Sequence, residues 1–244
     1  MSSRDEIAEL IQSFIIDRGL GPGDRLPSER ELCEIWGVNR MTLRNAIKRL
    51  EEIGVLESKV GLGTFVAKPR IVRNLQDTLS FSDAVRAAGG KLTRHVVYSG
   101  LVEADKFAMK HLHVMLASPV LALIRVASID GEKAAIENVL VNARGCDGIE
   151  RHDYSVESLY GVLQDDYGII ADHGSEKIDV TSLDEDEAGL LGCPVGAPAF
   201  FQEGLMLNQN GDPLEYFTNV IMPRHVILGT ELRPFVSEDG TRDV

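Results

Sequence analysis

Residues 28 to 66 leave this chain little conformational choice. Ser28 is followed three residues later by Glu31, the pairing that closes a capping box at a helix start, and Leu32, Ile35 and Trp36 then share one helical face. Gly37 ends that helix early. Asn39 can cap the next one, whose buried side is Leu43, Ile47 and Leu50 and whose stop is Gly54. Val55 to Lys59 and Thr64 to Ala67 read as two short strands joined by Val60-Gly61-Leu62-Gly63, a hairpin with a glycine-rich tip. Upstream, Ile7, Leu10, Ile11, Phe14 and Ile15 fall at the i, i+3, i+4, i+7, i+8 spacing of an amphipathic helix that Gly19 to Gly23 interrupts. Short helices joined by a tight glycine-containing turn, followed by a hairpin, spell a winged helix-turn-helix.

Charge bears on what such a unit binds. The 244 residues carry a net −13, which by itself argues against nucleic acid, but the distribution is uneven. Residues 1–69 hold ten basic against eleven acidic side chains, so nearly all the excess acid lies beyond them. Val38 to Leu50 contains Arg40, Arg44, Lys48 and Arg49 and no acid. Arg40, Arg44 and Lys48 are spaced i, i+4, i+8 on a face separate from the apolar one. A helix fits the DNA major groove, where arginine can bond guanine with two donors and polar residues at the helix start reach base edges or phosphates. Asn39, Arg40, Thr42 and Arg44 sit at that start, and the glycine tip permits close backbone approach to a groove. The bland alternative is a small helical domain whose basic residues merely solvate an exposed face.

These residues resemble the GntR-type winged-helix repressors. The resemblance rests on Leu26-Pro27-Ser28-Glu29-Arg30-Glu31-Leu32, on Val38-Asn39-Arg40-Met41-Thr42-Leu43-Arg44 and on Gly61-Leu62-Gly63-Thr64-Phe65-Val66. It implies DNA contacts at Arg30, Arg40, Thr42, Arg44 and Gly61. Asn39 replaces the usual Ser or Thr that opens the recognition helix, a fair capping substitute. Leu62 replaces a basic wing residue, which removes one phosphate contact.

Lys68-Pro69-Arg70 to Asp77 reads as a linker, because proline breaks the wing strand and charge resumes before the next apolar run. The expected organisation is a DNA-binding domain at 1–69, a linker at 70–78 and a second domain at 79–244. In the latter, Pro119 to Ile129 and Ala134 to Val141 are β-rich runs separated by Asp130-Gly131. Ala199 to Leu207 and Leu214 to Ile221 are separated by Asn210-Gly211-Asp212-Pro213. Asp105 to Val114, Val156 to Tyr167 and Asp184 to Leu191 carry helical spacing, so the class is α+β with antiparallel hairpins. Helix, proline, strand, glycine turn and a return strand with a Glu recur at an offset of about 80 residues, which places Glu137 and Glu215 at near-equivalent positions and suggests two related halves with a cleft between them.

From about Leu79 to Leu232 the chain is similar to the UTRA effector domain of the HutC subfamily, which has a chorismate-lyase-like fold and binds sugar phosphates or small organic acids. The resemblance implies an effector site at Ser80, Phe81, Ser82, Arg125, Glu137, Ser158, Tyr160 and Glu215. Arginine supplies a planar fork for a carboxylate or phosphate, while carboxylates and hydroxyls orient a polyol or amine. Ala127 stands where sugar-phosphate-sensing members often carry a second Arg, and Ile221 and Met222 replace a Tyr-Arg pair. These departures favour a singly anionic or amine-bearing metabolite, with a sugar phosphate held by backbone N–H groups still open. The alternatives are that Arg125 only pairs with Glu137 to tie two strands together, and that Tyr160 is a core ring.

Cys33, Cys146 and Cys193 are odd in number and lack a C-x-x-C pair, so reduced thiols are expected rather than disulfides or a zinc site. His111 and His113 point to different sides of a helix, and Asp184 to Glu187 reads as a helix N-terminus, so no metal or cofactor is expected. The start of the chain lacks a basic patch and apolar run, and no stretch approaches the roughly 20 apolar residues of a membrane span. The expectation is a cytoplasmic homodimer on palindromic double-stranded operator DNA, controlled by a small metabolite and not enzymatic. The rival class is a residual lyase or hydrolase built on the second fold.

Overall fold

The computed structural model of the protein describes residues 4–59, 61–68, 70–74 and 81–230. The chain divides into two units, Met1–Arg70 and Ile71–Val244. In the first, α1 (Arg4–Asp17), α2 (Glu29–Trp36) and α3 (Arg40–Glu52) precede an antiparallel hairpin of β1 (Leu56–Lys59) and β2 (Gly63–Val66). The local chemistry sets the boundaries. Ser28 Oγ accepts from the Glu31 N–H at 3.3 Å while the Ser28 N–H donates to Glu31 Oε2 at 2.8 Å, and Gly37 closes α2 in the left-handed conformation. Asn39 Oδ1 accepts from the Thr42 N–H at 2.9 Å and from its hydroxyl at 3.1 Å. Ile7, Ile11, Leu32, Leu43, Ala46 and Leu50 are fully or almost fully buried and form the core. Ile35, expected on the buried face of α2, is 56% exposed. In this eight-residue helix Leu32 is buried and Cys33 and Trp36 pack against the core, Trp36 edge-on to Phe14.

The second unit contains β3 (Ile71–Asn74), α4 (Phe81–Ala87), β4 (Leu92–Glu103), α5 (Lys106–Leu112), β5 (Pro119–Ile129), β6 (Glu132–Asn142), a 3-10 turn (Ile149–Arg151), α6 (Leu159–Tyr167), β7 (Ala171–Ser182), α7 (Glu185–Leu191), β8 (Pro198–Asn208), β9 (Pro213–Ile221) and β10 (Val226–Gly229). Six strands make an antiparallel sheet in the order β4-β5-β6-β9-β8-β7, and β3 pairs with β10 in parallel. The stretch expected as a linker therefore begins with a strand: Ile71 is buried and its N–H donates to the His225 carbonyl at 2.8 Å. Residues 75–80 lie outside the described ones.

The order helix, strand, helix, hairpin occurs twice, as α4-β4-α5-β5-β6 and α6-β7-α7-β8-β9, with β6 and β9 adjoining at the centre. The first hairpin turns at Asp130 and Gly131, both at positive φ, the backbone of a type I′ turn. Because α5 and α7 cover one sheet face and α6 the other, β5, β6 and β9 are buried on both sides and read as near-continuous apolar runs. The edge strands β4 and β7, half exposed and polar, had no comparable sequence signal.

On the α6 side, Leu121, Leu123, Val139, Val141 and Phe217 pack against Tyr154, Leu159 and Leu163. The Phe217 ring lies over Gly204, where a Cβ would run into the ring and stand 2.8 Å from the Ser175 carbonyl oxygen. Gly204→Val is expected to lower stability by about 1–3 kcal/mol through overpacking, read as a reduced midpoint in urea unfolding. An unchanged midpoint would mean the ring has room to move.

Candidate functional site

The first unit presents α3 and the hairpin tip. Arg40 and Lys48 are exposed and carry no carboxylate partner among the described residues, whereas the acid-free face of the sequence gains acids from elsewhere in the fold. Arg44 Nε donates to both oxygens of Glu29 on α2, at 3.0 and 2.9 Å, and Arg49 pairs with Asp5 of α1 at 3.2 Å. Arg44 remains 61% exposed despite this pairing. Arg30 pairs with Glu34 one turn along the same helix. Asn39 and Thr42 are engaged with each other as a cap. Gly61 sits at the wing tip with φ 75° and open space around its Cα.

In the second unit, strand register does what the sequence cannot show. Arg125 on β5, Glu137 on β6, Asn219 on β9 and Gln202 on β8 are direct cross-strand partners, so they form one row across four adjacent strands on the α6 face of the sheet. All but Asn219 are buried, Gln202 completely. Apolar clusters flank the row: the α6 core on one side, and Ala127, Ala135, Ile221 and Val226 with Phe81 on the other.

Arg125 Nη2 lies 2.8 Å from Glu137 Oε2, the pairing raised as an alternative to ligand binding. A second arginine joins it. Arg94 on β4 donates from Nε to Glu137 Oε2 at 2.9 Å, from Nη2 to Glu137 Oε1 at 3.2 Å, and from Nη2 to Ser82 Oγ at 2.8 Å. Glu137 is thus fully occupied, yet Arg125 Nε and Nη1 are buried without a partner. Burial raises the Glu137 pKa, but the two guanidiniums outweigh it and hold the carboxyl below its ordinary range. Burial lowers the Arg125 pKa, with Glu137 opposing.

Glu215, expected beside Glu137, is buried on the same sheet face. The Tyr160 hydroxyl is its hydrogen-bond donor, and its Oε2 is left without a partner. Burial pushes its pKa up to about 7, against the Tyr160 hydrogen bond and Arg125, which lower it. Burial and Glu215 both push Tyr160 far above the ordinary tyrosine range. Tyr160 also packs against the core, the alternative raised for it. Ser158 caps α6 through the Gly161 N–H at 3.4 Å and is exposed; it makes no contact with the row among those the structure records. Ser80 lies outside the described residues. Glu176 on β7 and Arg73 on β3, neither singled out by sequence, extend the polar row beyond Gln202. Arg94 and Glu176 went unnoticed because both lie on the edge strands, whose alternation is weak.

Glu215 carries a sign that can be measured. Its folded pKa of about 7 exceeds the ordinary 4.5, so between those values the folded state holds more protons than the unfolded, and this residue's contribution to stability falls as pH rises through that window. Glu215→Gln removes the loss. Relative to the unsubstituted protein, its stability is expected to rise from pH 5 to pH 8 by on the order of 2–3 kcal/mol, read from urea unfolding at each pH. A flat difference would show that Glu215 titrates normally.

Against known families, residues 3–66 match the bacterial regulatory proteins of the gntR family and residues 87–225 match the UTRA domain. The chain is a GntR-family transcription regulator with a UTRA domain. This UTRA regulator is 31% identical over 197 residues to the transcriptional repressor PhnF of Mycolicibacterium smegmatis, covering 81% of this chain and 80% of PhnF. It is 26% identical over 215 residues to the repressor NagR of Bacillus subtilis, covering 88% of each. The crystal structure of PhnF from Mycobacterium smegmatis superposes with a TM-score of 0.67 at 27% identity, over 93% of this chain and 99% of that one. The winged helix and the antiparallel UTRA sheet expected from sequence are therefore both present. The regulator departs from the expected arginine pattern in one instructive way: Ala127, where a second arginine was missed, is the direct cross-strand partner of Arg94. The neighbouring strand restores the charge. Among the described residues no group of metal-ligating side chains forms and no helix is long and apolar enough to cross a membrane.

Proposed function

We propose that this regulator represses transcription from a palindromic operator as a homodimer, and that a small anionic metabolite bound on the α6 face of the UTRA sheet relieves repression. The supporting observation is the set of orphaned atoms. A buried arginine with two empty donors and, on the same sheet face, a buried carboxyl with an empty oxygen cost several kcal/mol unless a partner satisfies them. A ligand with an anionic group for Arg125 Nε and Nη1, and a hydroxyl or amine for Glu215 Oε2, satisfies both. Arg73, Arg94 and Arg125 against Glu137 and Glu176 leave one positive charge when Glu215 is protonated and none when it is ionised, which favours a singly charged anion over a dianion.

On DNA, Arg40 and Arg44 address base edges or phosphates in the major groove, Lys48 and Arg30 phosphates, and Gly61 the groove beside the wing. Asn39 and Thr42 fix the helix start. The two-fold symmetry of a dimer maps onto operator palindromy. The test is a mobility shift on the DNA upstream of the regulator's own gene at about 0.1 M salt, with a panel of small metabolites. A sequence-specific shift reversed by one compound supports the reading. Absence of a shift at micromolar protein, with turnover of a metabolite, would replace it with an enzyme.

A further inference from the structure

At the far end of the polar row from Arg94, Arg73 Nη2 donates to Glu176 Oε2 at 2.9 Å, and Gln202 Nε2 donates to the same oxygen. Gln202 is held in turn by Asn219, whose Nδ2 donates to Gln202 Oε1 at 3.0 Å, so Glu176 is fixed from the sheet side. Both members of the pair are largely buried, at 14% and 22% side-chain exposure. Yet Arg73 Nε and Glu176 Oε1 have no partner. The pair joins the polar row through Gln202, which lies in register with Asn219 and Glu137 and donates to Glu176. Arg73 also occupies a special place in the chain. It lies on β3, which begins immediately after Arg70, the last residue of the DNA-binding unit.

One empty donor beside one empty acceptor selects its partner chemically. An anion satisfies Arg73 Nε but meets the Glu176 carboxylate; an ammonium does the reverse. A hydroxyl both accepts and donates, so a single oxygen completes both groups. We propose that Arg73 and Glu176 form a hydroxyl-binding subsite of the effector pocket, and that its occupation fixes β3 on the UTRA unit and so couples the ligand to the DNA-binding unit. This deepens the function proposed above and rests on it. The ligand is then a monoanion with its charged group at Arg125 and a hydroxyl at its other end. An effector shifts a two-state equilibrium only by its differential affinity for the two states, and a contact to the connecting strand supplies that difference.

The experiment uses the full chain, with gluconate and ribonate as probes and hexanoate as a hydroxyl-free anion. Binding is followed by titration calorimetry, and amide hydrogen exchange is followed at Ile71 to Asn74. The expected result is that at least one hydroxylated probe binds better than hexanoate and slows exchange in β3. Arg73→Lys, which keeps the charge but lacks Nε, and Glu176→Gln, which keeps the shape, should each weaken that probe about tenfold and abolish the slowing. Failure of every hydroxylated anion to outperform hexanoate overturns the ligand class. Normal binding in both variants, or β3 exchange indifferent to the probe, overturns the subsite and the coupling. Arg125→Ala separates the levels: if it alone abolishes binding, the pocket stands and the subsite fails, whereas normal probe binding by Arg125→Ala removes the pocket itself.

Discussion

Arg125→Ala is expected to abolish the effector response while leaving operator binding in the absence of effector intact. Arg125 is the buried group with the most unused bonding capacity in the described structure, with Nε and Nη1 both orphaned. Two charge-assisted hydrogen bonds, each about 1.5–3 kcal/mol, amount to a loss of at least a hundredfold in ligand affinity. Removing one partner of a buried ion pair ordinarily strands the other charge. Here Glu137 keeps both contacts to Arg94, at 2.9 and 3.2 Å, so the fold should survive. Calorimetry with the operator-releasing compound and a mobility shift with and without it separate the two properties. A normal response in the variant would place the effector elsewhere.

The second large effect belongs to DNA. Arg44→Ala is expected to weaken specific operator binding by about tenfold to a hundredfold, the 1–3 kcal/mol of a bidentate base contact, and to leave effector affinity unchanged. Its Nε is committed to both oxygens of Glu29, which orients the Nη edge as a fork suited to guanine O6 and N7. The measurement is a titration of operator against a scrambled duplex at fixed salt. Loss on both duplexes alike would make Arg44 a phosphate contact, and no loss on either would remove α3's basic face from the groove.

The two substitutions probe units that were unequally legible in the sequence. Helix limits in the DNA-binding unit follow from residues three or four apart: Ser28 with Glu31, Asn39 with Thr42, and the glycine at each stop. Such interactions close within one turn, so the linear order states them. The hairpins of the UTRA unit were equally plain, since Asp130-Gly131 is a turn by its own backbone preference. The edge strands were not. Neither β4 nor β7 has a fully buried residue, and without burial there is little pressure for a clean two-residue alternation in the sequence.

By itself the sequence determined the winged helix, the boundaries of its helices, the two hairpins, the basic patch of α3 and, through resemblance, Arg125, Glu137 and Glu215 as a candidate site. Only the tertiary structure decided what those groups touch. Arg94 stands 31 positions before Arg125 and reaches Glu137 because its strand registers it opposite Ala127. Arg44 meets Glu29 across two helices, and Arg73 meets Glu176 across 103 positions of the UTRA unit. Caps and turns are local and are written in neighbouring residues; a buried charge finds its partner through pairing register and packing, which no short stretch of chain contains.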